Sequence, residues 1–149
     1  MEGAKLNIPR LINKIEDIKA SLDVLERYAQ QDDNAFLSNE EAIRSARYSF
    51  IVLIEAATNI AAHICTRILN KAPNTYAESF LLLSEKMLIE QTLAERLGKM
   101  VGFRNLLIHG YGKIDDMQML NIMRNNLGDV RQYLVAVNAI MKKHTGGEC

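Results

Sequence analysis

Residues 50–68, FIVLIEAATNIAAHICTRI, decide what kind of fold this chain makes. The run is the most apolar in the sequence, yet Glu55, Asn59, His63 and Arg67 interrupt it at every fourth position. Groups that polar make it a poor membrane span, while a four-residue spacing stacks them along one side of a helix. The stretch therefore predicts a helix buried inside a globular domain. Polar side chains on a buried helix need partners. For the Glu55, Asn59 and His63 stripe two readings stand. One is an internal hydrogen-bond network or a polar subunit interface, which is the better account of His63. The other is the lining of a cleft.

Outward from this helix the same period recurs. Ile8, Leu11, Ile12, Ile15, Ile18, Leu22 and Leu25 return at helical spacing with charges between them. Asn7 is placed to cap this first helix, Pro9 falls in its first turn, and the polar run Gln30 to Asn34 ends it. Ser38-Asn39-Glu40-Glu41 has the spacing of a capping box and opens the long second helix, expected to reach about Asn70 before Pro73. Thr75-Tyr76-Ala77-Glu78 is a second capping box, for a short helix through Leu83. A fourth helix is expected from about Glu90 to His109, where Gly110 and Gly112 break it. A fifth is expected to be capped by Asp115 or Asp116 and to run to about Lys143. No strand-like alternation is present. The fold class is all-α, an up-and-down bundle of four to five helices, with residues 1–144 in one domain and residues 145–149 a disordered tail.

The chain has 149 residues, 48% of them hydrophobic, which suffices for one core and argues against two domains. Eighteen basic and eighteen acidic side chains cancel, so no global basic field exists to grip duplex nucleic acid. A local positive mouth is still open to it: between residues 94 and 113, Arg96, Lys99, Arg104 and Lys113 face only Glu95. Cys65 and Cys149 are expected to remain free thiols, no metal-ligand spacing occurs, and the opening residues lack a signal peptide's apolar run. Together these predict a cytoplasmic protein with no metal, no cofactor and no membrane attachment.

One segment carries candidate chemistry: Arg104-Asn105-Leu106-Leu107-Ile108-His109-Gly110-Tyr111. Residues five apart on a straight helix point about 140° apart, so Arg104 and His109 do not share a face. The glycines after His109, however, give the chain a place to turn and redirect His109 and Tyr111. A guanidinium holds phosphate oxygens bidentately and an imidazole titrates near neutrality, so the pair suits a phosphodiester. The plain alternative is that a helix C-terminus favours histidine for dipole reasons alone, with Tyr111 a half-buried packing residue. If the stripe on the long helix faces this segment, Glu55 is placed to orient Arg104 or His109.

The Arg-x-x-x-x-His-x-Tyr pattern resembles the signature of HEPN-fold ribonucleases, specifically the HepT-like toxins. Phe36-Leu37, the run from Ile54 to His63, Tyr76-Ala77-Glu78-Ser79-Phe80, and Phe103 to Tyr111 followed by Ile114-Asp115 all resemble counterparts there. The resemblance implies a homodimer that gathers two motif copies across a cleft, and metal-independent cleavage of RNA (tRNA or mRNA). His109 would assist attack by the ribose 2′-hydroxyl and Arg104 would stabilise charge on the phosphate, with Asn105, Glu55 and Asn59 in support. Asn59 departs from the pattern, because many relatives carry an acid there; if that acid takes part, activity here is reduced. The resemblance also implies a type VII-like toxin–antitoxin pair, whose partner, a minimal nucleotidyltransferase antitoxin, adds AMP to Tyr111. Two alternatives stand beside it. One is a non-catalytic HEPN subunit that holds nucleotide or substrate for a nucleotidyltransferase. The other is a purely structural helical dimer.

Overall fold

The structure, a computed structural model, describes residues 6–110 and 115–145, the side chain of Thr145 excepted. Helix α1 (Ile8–Ala29) starts as its sequence dictates. The Asn7 side chain accepts from the Arg10 N–H at 3.2 Å, and Pro9 occupies the first turn, where a missing N–H costs nothing. The polar run after α1 is not simply a break. It contains a one-turn helix, α2 (Asp33–Leu37), capped by Asp32 and anchored by the fully buried Phe36 against Tyr28. A helix of that length is too short to show a hydrophobic period.

This added turn displaces the expected cap of the long helix. Ser38 is already used in closing α2, donating its hydroxyl to the Asn34 carbonyl at 2.6 Å. Asn39 therefore caps α3 (Glu40–Arg67), accepting from the Ala42 N–H at 3.1 Å. At α4 (Tyr76–Glu85) the box is half formed. Thr75 accepts from the Glu78 N–H at 3.1 Å, but the Glu78 carboxylate reaches the Asn74 N–H, not that of Thr75. Helix α5 (Gln91–His109) keeps its expected span.

The expected last helix is two. Asp115 caps α6 (Asp116–Asn125), the chain breaks at Asn126, and α7 (Leu127–Thr145) follows, one residue beyond the expected domain end. Asn125, Asn126 and Gly128 are weak helix formers, and Arg124 holds the break open. Its guanidinium donates to the carbonyls of Ala29 and Gln31 and pairs with Asp33 at 2.7 Å. The described residues thus form seven helices and no strand, an all-α bundle. Residues 146–149, with Cys149, lie outside the described residues.

Helix α3 is the axis of this bundle and packs on α1, α2, α4 and α5. Ile54, Ala57, Ile60, Ala61 and Ile64 are all within 3% of full burial, in one core with Leu22, Phe80, Leu97 and Tyr133. The Tyr133 hydroxyl, fully buried, donates to the Ala57 carbonyl at 2.8 Å. Among the described residues α3 alone is long and apolar enough to cross a membrane, and 61% of its apolar stretch is buried within the fold. It is a core helix. Burial, with Glu78 nearby, pushes the Cys65 thiol up to about 11, which keeps it protonated at neutral pH.

His63 accepts, through Nε2, a hydrogen bond from the Asn7 N–H at 2.9 Å, tying the start of α1 to the end of α3. Its role is structural, as the first reading of the stripe expects. Burial, then Arg67 and Arg10, hold its pKa below the ordinary 6.5. Protonation would turn the acceptor into a donor facing another donor. The folded value is the lower one, so this contribution is complete above the unfolded pKa and is lost as pH falls below it. Urea midpoints are accordingly expected to drop between about pH 7.5 and about pH 5.5. In His63→Gln, whose amide oxygen accepts without titrating, that drop is expected to shrink; an unchanged drop would place the acid sensitivity elsewhere.

Candidate active site

Phe103 is buried and meets the Phe50 ring edge-on at 5.3 Å, which fixes how α5 lies against α3. The next residue, Arg104, is thereby brought to Glu55, one and a half turns along α3. Arg104 Nη2 donates to Glu55 Oε2 at 2.6 Å, and Nη1 donates to Oδ1 of the adjacent Asn105 at 3.1 Å. Its guanidinium carbon lies 5.2 Å from the centroid of the Tyr76 ring, within cation–π range. The Arg104 side chain is only 13% exposed, and its Nε is buried with no hydrogen-bond partner. Three helices, α3, α4 and α5, thus converge on one guanidinium whose donors are not all used.

Glu55 orients Arg104 and not His109. Asn59, on the same stripe, stands apart: it is exposed and donates to the Glu55 backbone carbonyl at 2.8 Å. The stripe is therefore divided among an ion pair, a helix-internal bond and the α1 tether of His63.

The structure does not bring His109 to Arg104 within the chain. Helix α5 stays regular through His109, so the two side chains leave its axis about 140° apart. The turn comes one residue too late to redirect the imidazole, which is exposed, with no hydrogen bond to it among the described residues. Gly110 ends the helix by close approach, not by left-handed backbone: its φ is −83° and its N–H reaches the Leu106 carbonyl at 2.7 Å. A Cβ there would lie 2.4 Å from that carbonyl oxygen and 2.7 Å from Leu106 Cδ1, so only glycine fits. Tyr111, with Gly112 and Lys113, lies outside the described residues.

The expected positive mouth is partly neutralised. Arg96 pairs with Asp129 at 2.8 Å and Arg104 with Glu55, which leaves Lys99 exposed on this helix. Among the described residues no three His, Cys, Asp or Glu side chains gather to hold a metal ion. Beside the Arg104 cluster runs a groove of about 750 Å³, between the α3–α4 connection and α5, which Tyr76 and Asn105 line from the Arg104 end. Tyr76 is the site residue that the reading of the sequence did not assign. Its spacing gave no signal: the core residues Phe80 and Leu83 follow it at i+4 and i+7, which would put Tyr76 on the core face, and it is the structure that leaves its ring half exposed at the start of α4.

Comparison with known proteins places the whole chain. The profile of the family described as "Ribonuclease HepT-like" matches residues 18–137. The chain is 29% identical over 129 residues to the mRNA nuclease HepT of Shewanella oneidensis, covering 87% of this chain and 96% of that one. It is 24% identical over 128 residues to the tRNA nuclease HepT of Aphanizomenon flos-aquae, covering 86% and 87%. Among solved structures, the tri-AMPylated HEPN toxin of Shewanella oneidensis in complex with MNT antitoxin superposes with a TM-score of 0.81 at 28% identity, over 87% of this chain and 97% of that one. The cytosolic protein YutE of Bacillus subtilis, of unknown function, superposes with a TM-score of 0.82 at 12% identity over 95% and 94%, a likeness of fold alone.

Proposed function

The chain belongs to the HepT-like ribonuclease family, and from that premise we propose that it is a metal-independent endoribonuclease, the toxin of a type VII-like toxin–antitoxin pair. The observation that carries this is the Arg104 cluster: a largely enclosed guanidinium, held in place by Glu55 and Asn105 and set against the Tyr76 ring. Arg104 binds the scissile phosphate and stabilises the charge that builds on its oxygens. His109 takes the proton of the ribose 2′-hydroxyl as that oxygen attacks phosphorus. The P–O5′ bond breaks, leaving a cyclic phosphate on one fragment and a 5′-hydroxyl, which takes up a proton, on the other. DNA lacks the attacking hydroxyl and is not cut.

Because His109 and Arg104 diverge on α5, we read the active unit as a homodimer in the cytoplasm that gathers two copies of the motif. Tyr48, Glu55 and Asn59 share one face of α3, and Tyr48 is 69% exposed there, so this face is free to receive a second copy. The chain's similarity to a toxin solved in AMPylated form with MNT antitoxin supports Tyr111 as the residue a partner nucleotidyltransferase modifies. An added AMP brings a phosphodiester anion two residues from His109 and competes with substrate for Arg104.

The test has two arms. Purified protein is expected to cut tRNA or mRNA in excess EDTA. After co-expression with the nucleotidyltransferase and ATP it is expected to gain the mass of one or more AMP groups on Tyr111 and to lose cleavage. Cleavage that stops in EDTA would remove metal independence, and a silenced complex with unmodified Tyr111 would mean simple occlusion. The second reading, a non-catalytic nucleotide-holding subunit, draws on the separation of His109 from Arg104 within one chain. It predicts nucleotide binding with no cleavage at all.

A further inference from the structure

The groove beside Arg104 has features that a phosphate site alone does not need. It lies between Pro73 and Asn74 of the α3–α4 connection, Tyr76 at the start of α4, and Gly98, Gly102 and Asn105 on α5. Gly98 and Gly102 are one helical turn apart, so they share one face. Glycine inside a helix destabilises it, and what usually requires one there is a tight contact or a positive φ. Neither applies at Gly102, where an added Cβ would meet nothing within 4 Å. At Gly98 the nearest atom would be Ala77 Cβ, at an ordinary 3.8 Å. What the two glycines do achieve is a flat, side-chain-free floor.

The wall over that floor is aromatic. Tyr76 is 51% exposed, takes no place in the core, and has Arg104 against its ring. At about 750 Å³ the groove is in the size range of sites for small ligands. A flat floor, an aromatic wall, two amide side chains and an adjoining phosphate-binding guanidinium match a planar base carried on a ribose phosphate.

We propose that this groove is a nucleobase subsite, in which Tyr76 packs against one unpaired base of the RNA while Arg104 holds the adjoining phosphate. Asn74 and Asn105 meet the polar edge of the base. A base still paired in a duplex cannot enter, so the subsite selects single-stranded segments. The inference rests on the ribonuclease reading for its substrate but not for the binding itself.

The experiment compares Gly102→Leu, Tyr76→Ala and Tyr76→Phe with the wild type. Cleavage of an unpaired oligoribonucleotide is measured together with binding of UMP and AMP followed by NMR shifts. Gly102→Leu fills the floor without touching Arg104 and is favourable for helix formation. It is expected to raise KM and weaken nucleotide binding about tenfold, with kcat within about threefold, as loss of base stacking does. Tyr76→Ala removes the opposite wall and is expected to act in the same direction, while Tyr76→Phe keeps the ring and stays near wild type. Should Gly102→Leu not fold, Tyr76→Ala against Tyr76→Phe reads the same quantity. Wild-type KM and nucleotide affinity in Gly102→Leu or in Tyr76→Ala would overturn the subsite and leave the ribonuclease reading intact. Nucleotide binding that Gly102→Leu weakens, in a protein that cuts no RNA, would do the reverse.

Discussion

Replacing Arg104 by alanine is expected to lower kcat/KM for RNA cleavage by about a hundredfold or more, in line with removing a donor that stabilises developing charge. The effect is large because nothing nearby on α5 substitutes for it: Arg96 is held by Asp129, and Lys99 lies a turn or more away on another face. Arg104→Lys is expected to recover little, since an ammonium does not span two phosphate oxygens as a guanidinium fork does. Stability is a separate matter. Glu55 is 44% exposed, so its carboxylate can rehydrate when Arg104 is gone, and the loss is expected to stay within about 1 kcal/mol. His109→Ala, at an exposed helix end with no hydrogen bond to lose among the described residues, is expected to fall as far in activity and not at all in melting temperature. Circular dichroism and initial cleavage rates settle both. Equal rates in wild type and both variants would end the catalytic assignment. A melting change in Arg104→Ala without any change in RNA or nucleotide affinity would favour the structural dimer instead.

The second large effect is on the fold. Phe50→Ala deletes a ring with no solvent exposure and is expected to cost about 3–5 kcal/mol, seen as a fall in melting temperature of about 10 °C. It also removes the edge-on contact to Phe103, the residue that precedes Arg104. Leu22→Ala, equally buried but on α1, makes a matched control for destabilisation at a distance from the site. At a temperature where both variants are folded, Phe50→Ala is expected to lose more activity than Leu22→Ala. Equal losses would mean that the Phe50–Phe103 contact matters for stability alone.

How much of this was legible follows from how far each signal reaches along the chain. The long helices α1, α3 and α5 could be read because an apolar stripe repeating over several turns is what a half-buried helix requires and a strand or loop does not. The cap of α1 was legible too, since Asn7 and Pro9 act locally. What failed were features set by distant partners. Ser38 has the right chemistry for a cap but is already used by α2, whose existence depends on Phe36 finding Tyr28. The break at Asn126 depends on Arg124 reaching back to residues 29–33, nearly a hundred positions away. At the site, Arg104 with Glu55 was foreseen as one of two pairings, and packing of Phe103 on Phe50 chose between them. The opposite directions of Arg104 and His109 follow from helix geometry alone, and the expectation that glycine would realign them failed although the helix stops where expected, because backbone that is helical through His109 has already set the direction of its side chain.

That stopping point gives the two halves of the site different lifetimes. Amides at the middle of α3 and α5 lie under the whole core and are expected to exchange with solvent only when the molecule unfolds entirely. The final turn, around His109, is an exposed helix end closed by the bond from the Gly110 N–H to the Leu106 carbonyl, and it is expected to open on its own. Under the proposed roles, the guanidinium that holds phosphate is expected to stay in place while the imidazole that takes the proton does not, and a device that silences the protein without unfolding it is expected to act at that end.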